Sequence, residues 1–192
     1  MLKRSFDFIF SLIGLLLTWW IILIAFIVAS IDTKSNGFFL QERIGRNGKK
    51  FKVIKIKTMR PIKNQTSTVT TVNDERITKS GSFFRKTKID ELPQLINVLL
   101  GQMSFVGPRP DVPGYADKLE GDDRIILEIR PGITGPATLK YRNEEEILAR
   151  QKFPEEYNKK VIYPDKVRIN KKYIQNYSLS KDIKYILQTI FK

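Results

Sequence analysis

Apolar residues concentrate in one long run near the start of the chain. The stretch FIFSLIGLLLTWWIILIAFIVASI, residues 8–31, contains no charged side chain. As an α-helix, a run of about 24 residues measures about 36 Å, which is enough to cross the hydrocarbon core of a bilayer. The pattern therefore predicts a membrane helix, and the mixed polarity that begins at Lys34 predicts a separate, more polar domain.

Basic residues flank this run on both sides. Lys3 and Arg4 precede it, and Lys34, Arg43 and Arg46 are among those that follow it. Because basic flanks favour the cytoplasmic side of a membrane helix, both are expected on the same side. A re-entrant helix hairpin, which enters the bilayer and returns to the same face, satisfies both flanks. A single straight span is the alternative from hydropathy, whereas a cleaved signal peptide conflicts with the length of the run.

The middle of the run indicates where such a helix bends. Trp19 and Trp20 lie there, although tryptophan prefers the interfaces between membrane and water. The hydroxyl of Thr18 can bond back to a helix carbonyl, and Gly14 precedes it by about one turn. We therefore predict a bend near Thr18.

The chain after residue 33 mixes short elements of both types. FKVIKIKTM, residues 51–59, predicts a strand, and the Thr-, Ser- and Asn-rich residues 61–76 predict a long surface loop. A helix follows that begins between residues 87 and 92, because Pro93 is tolerated only in a first turn, and Gly101 ends it. The apolar face of this helix consists of Leu92, Leu95, Ile96, Leu99 and Leu100.

Prolines punctuate the second half of the chain and predict that long helices are absent until its end. The closing stretch LSKDIKYILQTIFK, residues 179–192, returns to a helical pattern. Its apolar stripe either faces a core or lies on a membrane surface, and both interpretations stay open. The stripe consists of Leu179, Ile183, Ile186, Leu187 and Ile190.

Composition narrows the partners and the chemistry. Lysine and arginine number 34 against 20 acidic residues, which gives a formal net charge of +14. This favours anionic partners such as an anionic membrane face or phosphorylated small molecules, and no nucleic-acid-binding motif is present. Because the sequence contains neither histidine nor cysteine, imidazole and thiolate catalysis are excluded. Any metal would be a hard, oxygen-bound cation such as Mg2+.

Two adjacent carboxylates, Asp90 and Glu91, stand where the predicted helix begins. One explanation is structural, since free N–H groups at a helix start stabilise acidic side chains. The other is catalytic: Arg85, Lys86 and Lys88 would attract a phosphate, and Mg2+ between carboxylate and phosphate would offset the repulsion within the pair. A carboxylate in such surroundings can act as a nucleophile and form an acyl phosphate.

Two arginines beyond this helix are candidates for phosphate binding. The proline-rich turn GPRP fixes the direction of Arg109, whose planar guanidinium suits a phosphate. Arg142 either reaches a phosphate or pairs with the acidic residues 144–146. RPGITG, residues 130–135, predicts a turn whose backbone can approach a ligand closely. Both arginines and this turn also have an ordinary structural explanation.

These motifs occur in the order found in a known family. KRSFDF, QERIGRNGKKFKVIKIKTM, FFRKTKIDELPQLINVLLGQMSFVGPRP and RPGITG together resemble the bacterial sugar transferases, monotopic polyprenyl-phosphate phosphoglycosyl transferases of glycoconjugate assembly. The resemblance runs from about residue 3 to residue 142 and returns at YSLSKDIKYILQTI. Two stretches differ from the family: Thr18-Trp19 stands near its usual Ser-Pro bend, and PATLKYRNEEEIL replaces a Trp-Ala-Gln segment.

The resemblance implies an α+β protein on the cytoplasmic face of the bacterial inner membrane. Residues 1–33 would form a re-entrant anchor, and residues 34–192 a compact, mostly helical catalytic domain with a small sheet and interfacial amphipathic helices. It further implies that a UDP-sugar donates its sugar 1-phosphate to polyprenyl phosphate, usually undecaprenyl phosphate. UMP would be released, Mg2+ would be required, and the reaction would be the first membrane step of polysaccharide or glycoconjugate assembly.

The resemblance also implies roles for individual residues. Asp90 would attack the phosphate that bears the sugar and form a covalent intermediate, which the lipid phosphate then resolves. Glu91 would assist, and both carboxylates would hold Mg2+. Four basic residues match positions expected to bind the substrate: Lys57, Arg85, Arg109 and Arg142.

Two other functions compete with this one. A membrane-anchored protein that binds anionic lipid without chemistry would tolerate Asp90→Asn. A metal-dependent glycosyltransferase would release UDP rather than UMP, and such enzymes often carry an Asp-x-Asp motif, which this sequence lacks.

Overall fold

The computed structural model describes residues 2–60 and 75–191. Helices dominate, and two small two-stranded sheets accompany them, which confirms the α+β prediction. The long loop predicted at residues 61–76 falls almost entirely outside the described residues. Residues 2–43, 50–60 and 75–103 form a first compact unit, and residues 44–49 and 104–191 form a second. The predicted boundary at residue 33, between anchor and catalytic domain, stays a prediction.

The predicted membrane helix is present as α1 (Leu2–Thr33), an uninterrupted helix of 32 residues. At the predicted bend, the Thr18 hydroxyl donates to the carbonyl oxygen of Gly14 at 2.7 Å, and the helix continues through this point. Within the described ranges, α1 is the one helix whose length and composition would let it cross a membrane. A long apolar helix is therefore confirmed, while its insertion into a membrane and the re-entrant hairpin stay predictions.

The rest of the first unit packs short elements against α1. β1 (Phe38–Ile44) pairs with β2 (Lys50–Ile56), as predicted for the strand-like stretch. α2 (Lys79–Thr87), a 3-10 turn at Ile89–Glu91 and α3 (Gln94–Leu99) follow. Their shared core contains Ile22, Ala25 and Ala29 of α1 together with Ile56 and Phe84.

The buried face of α3 differs from the predicted one. Leu100 is 64% exposed, whereas the polar residues Gln94 and Asn97 are buried. For Asn97 the reason is hydrogen bonding: its Oδ1 accepts from Ile54 N at 3.1 Å, and its Nδ2 donates to Lys52 O at 2.8 Å. The side chain thus satisfies backbone groups of β2 that would otherwise be buried without partners.

The second unit is built around a short parallel strand pair. β3 (Ser104–Val106) pairs with β4 (Gly132–Thr134), so that Ser104 lies opposite Gly132 and Val106 opposite Thr134. The remaining helices of this unit are α4 (Pro136–Lys140), α5 (Glu144–Ala149), α6 (Pro154–Tyr157), α7 (Tyr163–Gln175) and α8 (Leu179–Ile190). The 3-10 turns are Arg46–Gly48, Ala116–Lys118 and Gly121–Leu127.

The prediction that prolines exclude long helices before the C-terminus is wrong. Helical backbone runs from Pro154 through a π-helical segment, Asn158–Ile162, to the end of α7. Pro154 occupies the first turn of α6, where its missing N–H costs nothing. Pro164 directly follows the wider π-helical turns, which accommodate its ring and its missing hydrogen bond.

The C-terminal helix α8 is present as predicted, but its apolar stripe faces outward. Ile183, Leu187 and Ile190 are all exposed, by 43% to 65%. The buried position is instead Asp182, whose carboxylate accepts from the Tyr173 hydroxyl at 2.6 Å. For these three apolar residues the core-facing interpretation is therefore wrong, and the membrane-surface interpretation is the one the exposure favours.

Candidate active site

The two adjacent carboxylates lie at a sharp corner of the first unit. α2 ends at Thr87, and the residue that caps it, Lys88, adopts the left-handed conformation with φ 60° and ψ 15°. For a residue other than glycine, this conformation costs about 1–2 kcal/mol. The corner is held by hydrogen bonds from Lys88 N to Arg85 O at 3.4 Å and from Glu91 N to Lys88 O at 3.1 Å. The chain reversal brings Arg85 and Asp90 within electrostatic range of each other.

Asp90 is a buried acid with a free oxygen. Its side chain is only 8% exposed, and Oδ1 has no hydrogen-bond partner among the residues that the structure describes. Burial, followed by the charge of Glu91, raises the pKa of Asp90 to about 6, against the opposing pull of Lys55, Lys88 and Arg85. A buried carboxylate oxygen without a donor destabilises the fold, and such groups concentrate at sites that bind ligands or do chemistry.

Glu91 forms a salt bridge with Lys55, a residue that was not predicted from the sequence to lie in the site. Lys55 of β2 donates to Glu91 Oε1 at 3.1 Å, and both side chains are largely shielded from water, with exposures of 22% and 13%. Lys57 was the lysine predicted from the sequence. In a strand, residues two apart share a face, so the alternation placed both lysines on one side but did not distinguish them.

Lys57 lies elsewhere in the first unit. Its Nζ donates to Ser35 Oγ at 2.9 Å, and Ser35 is in turn 2.9 Å from the hydroxyl of Thr33 at the end of α1. Lys57 thus connects the end of α1 to the end of β2. Its predicted role in substrate binding stays a prediction.

The adjacent carboxylates of Asp90 and Glu91 are suited to binding a hard cation. Among the described residues, no three or more acidic, histidine or cysteine side chains gather into a metal-binding group. Asp90 and Glu91 therefore offer a cation at most two carboxylates, one of which has an unpartnered oxygen. Mg2+ is commonly bound in this manner, through one or two carboxylates plus substrate phosphates. These residues therefore fit an Mg2+ ion, and the predicted requirement for Mg2+ stays a prediction.

The two other predicted arginines lie in the second unit. Arg109 is exposed and directly follows the buried Pro108 after β3. Arg142 is exposed as well, and its Nη2 donates to Gln188 O in α8 at 2.9 Å. The predicted roles of Arg109 and Arg142 in substrate binding stay predictions.

The two glycine-containing motifs of the second unit meet backbone to backbone. A Cβ atom on Gly135 would lie 2.5 Å from Gly107 O, and one on Gly132 would lie 2.7 Å from Val106 C. Contacts this close admit only glycine, so the glycines of RPGITG approach the GPRP turn within this unit, and the predicted approach of RPGITG to a ligand stays a prediction. The direction of Arg109 is thereby tied to the pairing of β3 and β4.

We expect Asp90→Asn to stabilise the metal-free protein. A folded-state pKa of about 6, against an ordinary value of 3.8, means that the folded protein holds this proton more tightly than the unfolded chain. The stability that wild type has at low pH is therefore lost as pH rises from about 4 to about 6. Above pH 6, the variant should exceed wild type in free energy of unfolding by up to about 3 kcal/mol.

Denaturation of both proteins in EDTA at pH 4 and pH 7.5 tests this expectation. The advantage of the variant should be small at the lower pH and full at the higher one. A variant that is less stable at pH 7.5, or a difference that does not change with pH, would show that the buried, ionised carboxylate of Asp90 does not destabilise the fold.

Comparisons with known proteins add independent information. The family model for bacterial sugar transferase matches residues 1–192. The UDP-glucose:undecaprenyl-phosphate glucose-1-phosphate transferase of Escherichia coli (strain K12) is 34% identical over 198 residues, which cover 100% of this chain and 40% of that protein. The UDP-galactose-lipid carrier transferase of Erwinia amylovora is 34% identical over 209 residues, covering 98% of this chain and 39% of that protein.

A third relative is closer in length to this chain. The exopolysaccharide production protein ExoY of Rhizobium meliloti (strain 1021) is 31% identical over 206 residues, covering 99% of this chain and 84% of that protein. The chain thus spans about two fifths of the length of the first two relatives and most of the length of the third.

Proposed function

This chain belongs to the bacterial sugar transferase family, and on that premise we propose that it transfers sugar 1-phosphate from a UDP-sugar to polyprenyl phosphate. The products are UMP and a polyprenyl diphosphate sugar. The observation that carries the proposal is the free Oδ1 of Asp90, buried at a corner surrounded by Arg85, Lys88 and Lys55. A buried acceptor among cations is suited to attack on a phosphoryl group.

In the first step, a carboxylate oxygen of Asp90 forms a bond to the phosphorus that bears the sugar. The bond between this phosphorus and the oxygen that bridges it to UMP breaks, and its electron pair leaves with UMP. In the second step, a phosphate oxygen of the polyprenyl carrier attacks the same phosphorus, and the Asp90 carboxylate departs unchanged. The reaction needs no oxidant, no thiol and no imidazole, which agrees with a chain that lacks cysteine and histidine.

The neighbouring residues support this step electrostatically. Glu91 is fixed by Lys55 and so keeps a defined position beside the nucleophile. Arg85 and Lys88 lower the pKa of Asp90 against the effect of burial, which favours the ionised, nucleophilic carboxylate at neutral pH. Asp90 and Glu91 would hold Mg2+, which supplies positive charge to the diphosphate when bound.

The nature of the nucleotide product tests the proposal. Purified protein in detergent is incubated with Mg2+, polyprenyl phosphate and a panel of UDP-sugars, and the released nucleotide is identified by chromatography. We expect UMP, formed in equal amount to the lipid-linked sugar phosphate. UDP as the product would indicate transfer of the sugar alone, and the absence of any product across the panel would favour a lipid-binding protein.

The contacts of α1 support an anchor that stays on one face of the membrane. Near its start, Arg4 donates to Val98 O at 2.6 Å, and near its end Arg60 donates to Asp32 O at 3.1 Å. The helix is about 48 Å long, so a straight membrane span would carry one of these contacts to the far side of the bilayer. Both contacts belong to the first unit, which also carries Asp90.

Two exposed apolar surfaces are available to lipid. On α1 the exposed side chains include Leu16, Leu17, Trp19 and Trp20, and on α8 the stripe described above faces outward. Lysines adjoin this stripe, and an interfacial helix typically combines such a stripe with basic residues. These surfaces support attachment to the cytoplasmic leaflet, where both substrates of the proposed reaction meet.

The absence of cysteine allows a direct test of topology. Ser5→Cys and Lys49→Cys place single thiols at exposed positions before and after the apolar run. We expect both to be protected from a membrane-impermeant maleimide in intact bacteria and to be labelled after lysis. Labelling of one position alone in intact cells would indicate a straight span and would contradict the re-entrant anchor.

A further inference from the structure

A second unpartnered polar atom lies within one helical turn of Asp90. Gln94 is only 2% exposed, and its Nε2 has no hydrogen-bond partner among the described residues. In the described part of the chain, five buried side-chain atoms are without partners, and two of them belong to Asp90 and Gln94. Buried amide groups in folded proteins are almost always hydrogen-bonded, so this coincidence in one short segment calls for an explanation.

The backbone joins the two residues in one continuous helical path. The 3-10 turn at Ile89–Glu91 continues through Leu92 (φ −54°, ψ −38°) and Pro93 (φ −61°, ψ −17°), both in the right-handed helical region, into α3. Residues three or four apart on a helical path lie within about one turn of each other. Gln94 therefore lies within about one turn of Asp90 along the chain.

The comparison with Asn97 shows that burial on α3 does not by itself leave an amide unpaired. Asn97 is also fully buried, and its Nδ2 donates to Lys52 O at 2.8 Å and to Gln102 Oε1 at 2.7 Å. Its Oδ1 accepts from Ile54 N. The hydrogen bonds of Asn97 therefore explain why its amide is buried. The Nε2 donor of Gln94 has no such hydrogen bond among the described residues.

The two free atoms are chemically complementary to a phosphoryl group. Such a group has an electron-poor phosphorus, which a carboxylate oxygen can attack, and electron-rich oxygens, which an N–H group can bind. We propose that Gln94 is a further substrate-contacting residue, whose Nε2–H donates to a non-bridging oxygen of the phosphoryl group that Asp90 attacks. This inference rests on the proposed function and adds a residue to its first step.

Gln94 keeps its proton throughout that step. As the Asp90 carboxylate bonds to phosphorus and UMP leaves with its electron pair, negative charge on the phosphoryl oxygens is redistributed, and the amide donor stabilises it. A fixed donor in a site shielded from water requires little reorganisation during the reaction. The same hydrogen bond would serve when the lipid phosphate attacks, because the phosphoryl oxygens are retained in both steps.

Gln94→Met tests the inference, because methionine preserves the volume and removes the donor. We expect kcat to fall by about 10²- to 10³-fold, while KM for the UDP-sugar changes by a few-fold at most. The rate of covalent adduct formation without lipid should fall by the same factor as kcat. The thermal midpoint of the ligand-free variant should equal or exceed that of wild type, because an unpartnered buried donor has been removed.

Two further variants make the outcome decisive. Asn97→Leu, which removes a fully bonded amide from the same helix, should lower the thermal midpoint, whereas Gln94→Met should not. Gln94→Glu, with an acceptor and a negative charge in place of the donor, should lower kcat at least as much as Gln94→Met. Wild-type kcat in Gln94→Met, failure of that variant to fold, or a midpoint as low as that of Asn97→Leu would each overturn the inference.

Failure of the inference can be distinguished from failure of the proposed function. If wild type forms no covalent adduct and releases no UMP, the proposed function itself is wrong. If wild type forms the adduct and Gln94→Met forms it equally fast, only the role of Gln94 is wrong.

Discussion

Asp90→Asn is expected to abolish turnover, with a fall in kcat of about 10⁴-fold or more, as is typical when a covalent nucleophile is removed. Asparagine has almost the same shape as aspartate but carries no negative charge and is a poor nucleophile. The surrounding cations Lys55, Arg85 and Lys88 remain in place, so binding of the UDP-sugar should be retained. Steady-state kinetics and a direct binding measurement on the same preparation separate these two effects.

Asp122→Asn is the matched control for this variant. It makes the same chemical change at an exposed position of the second unit. Its turnover should stay within about twofold of wild type, since surface substitutions of this kind have small effects. Substantial turnover by Asp90→Asn, for example a tenth of the wild-type rate, would favour direct attack of the lipid phosphate on the UDP-sugar.

Gly132→Ala is expected to prevent correct folding of the second unit. A methyl group at this position would press on Gly107 N and would lie 2.5 Å from Thr134 O and 2.7 Å from Val106 C. All of these are backbone atoms, which cannot move aside without separating β3 from β4. Overpacking of this severity costs at least about 1–3 kcal/mol. The measurement is the yield of folded protein and its resistance to proteolysis in detergent.

Gly48→Ala provides the comparison. Gly48 has φ +73°, and a Cβ atom there would have no heavy atom within 4 Å. Only the backbone conformation is penalised, at about 1–2 kcal/mol, so this variant should fold. Equal yields and equal protease resistance for both variants would show that the close backbone approach at Gly132 is not required.

Several features follow directly from the sequence because local patterns determine them. The absence of charge over residues 8–31 predicted α1, and Gly101, with φ +77°, ends the helix where the sequence indicated. Helical backbone begins within the predicted residues 87–92, as the 3-10 turn Ile89–Glu91 that carries both carboxylates, whereas the α-helix α3 begins later, at Gln94. Arg85, five residues before Asp90, was correctly predicted to lie near Asp90.

Other features depend on tertiary contacts that the sequence does not encode locally. Lys55 and Lys57 have the same strand pattern, and only the packing of β2 against the corner that carries Glu91 makes Lys55 its partner. Apolar spacing alone assigns Gln94 and Asn97 to the solvent-exposed side of the helix, yet both are buried. The polar groups that define this site were therefore harder to predict than its apolar framework.

The second half of the chain shows the same limit for secondary structure. Pro164 was expected to end a helix, but the π-helical segment Asn158–Ile162 lets the helical path continue. On α8, apolar spacing identified the stripe but not its direction, because the buried pair of Asp182 and Tyr173 decides which face turns inward. In both cases a specific contact or local backbone adjustment outweighs the general pattern.

Mass spectrometry of the protein after incubation with a UDP-sugar and Mg2+, without lipid, tests the central claim most directly. We expect a mass increase equal to one sugar phosphate, mapped by peptide analysis to Asp90, absent from Asp90→Asn and removed when polyprenyl phosphate is added. An adduct on another residue, an adduct that persists in Asp90→Asn, or UMP release that occurs only with lipid and without any adduct would contradict a covalent role for Asp90.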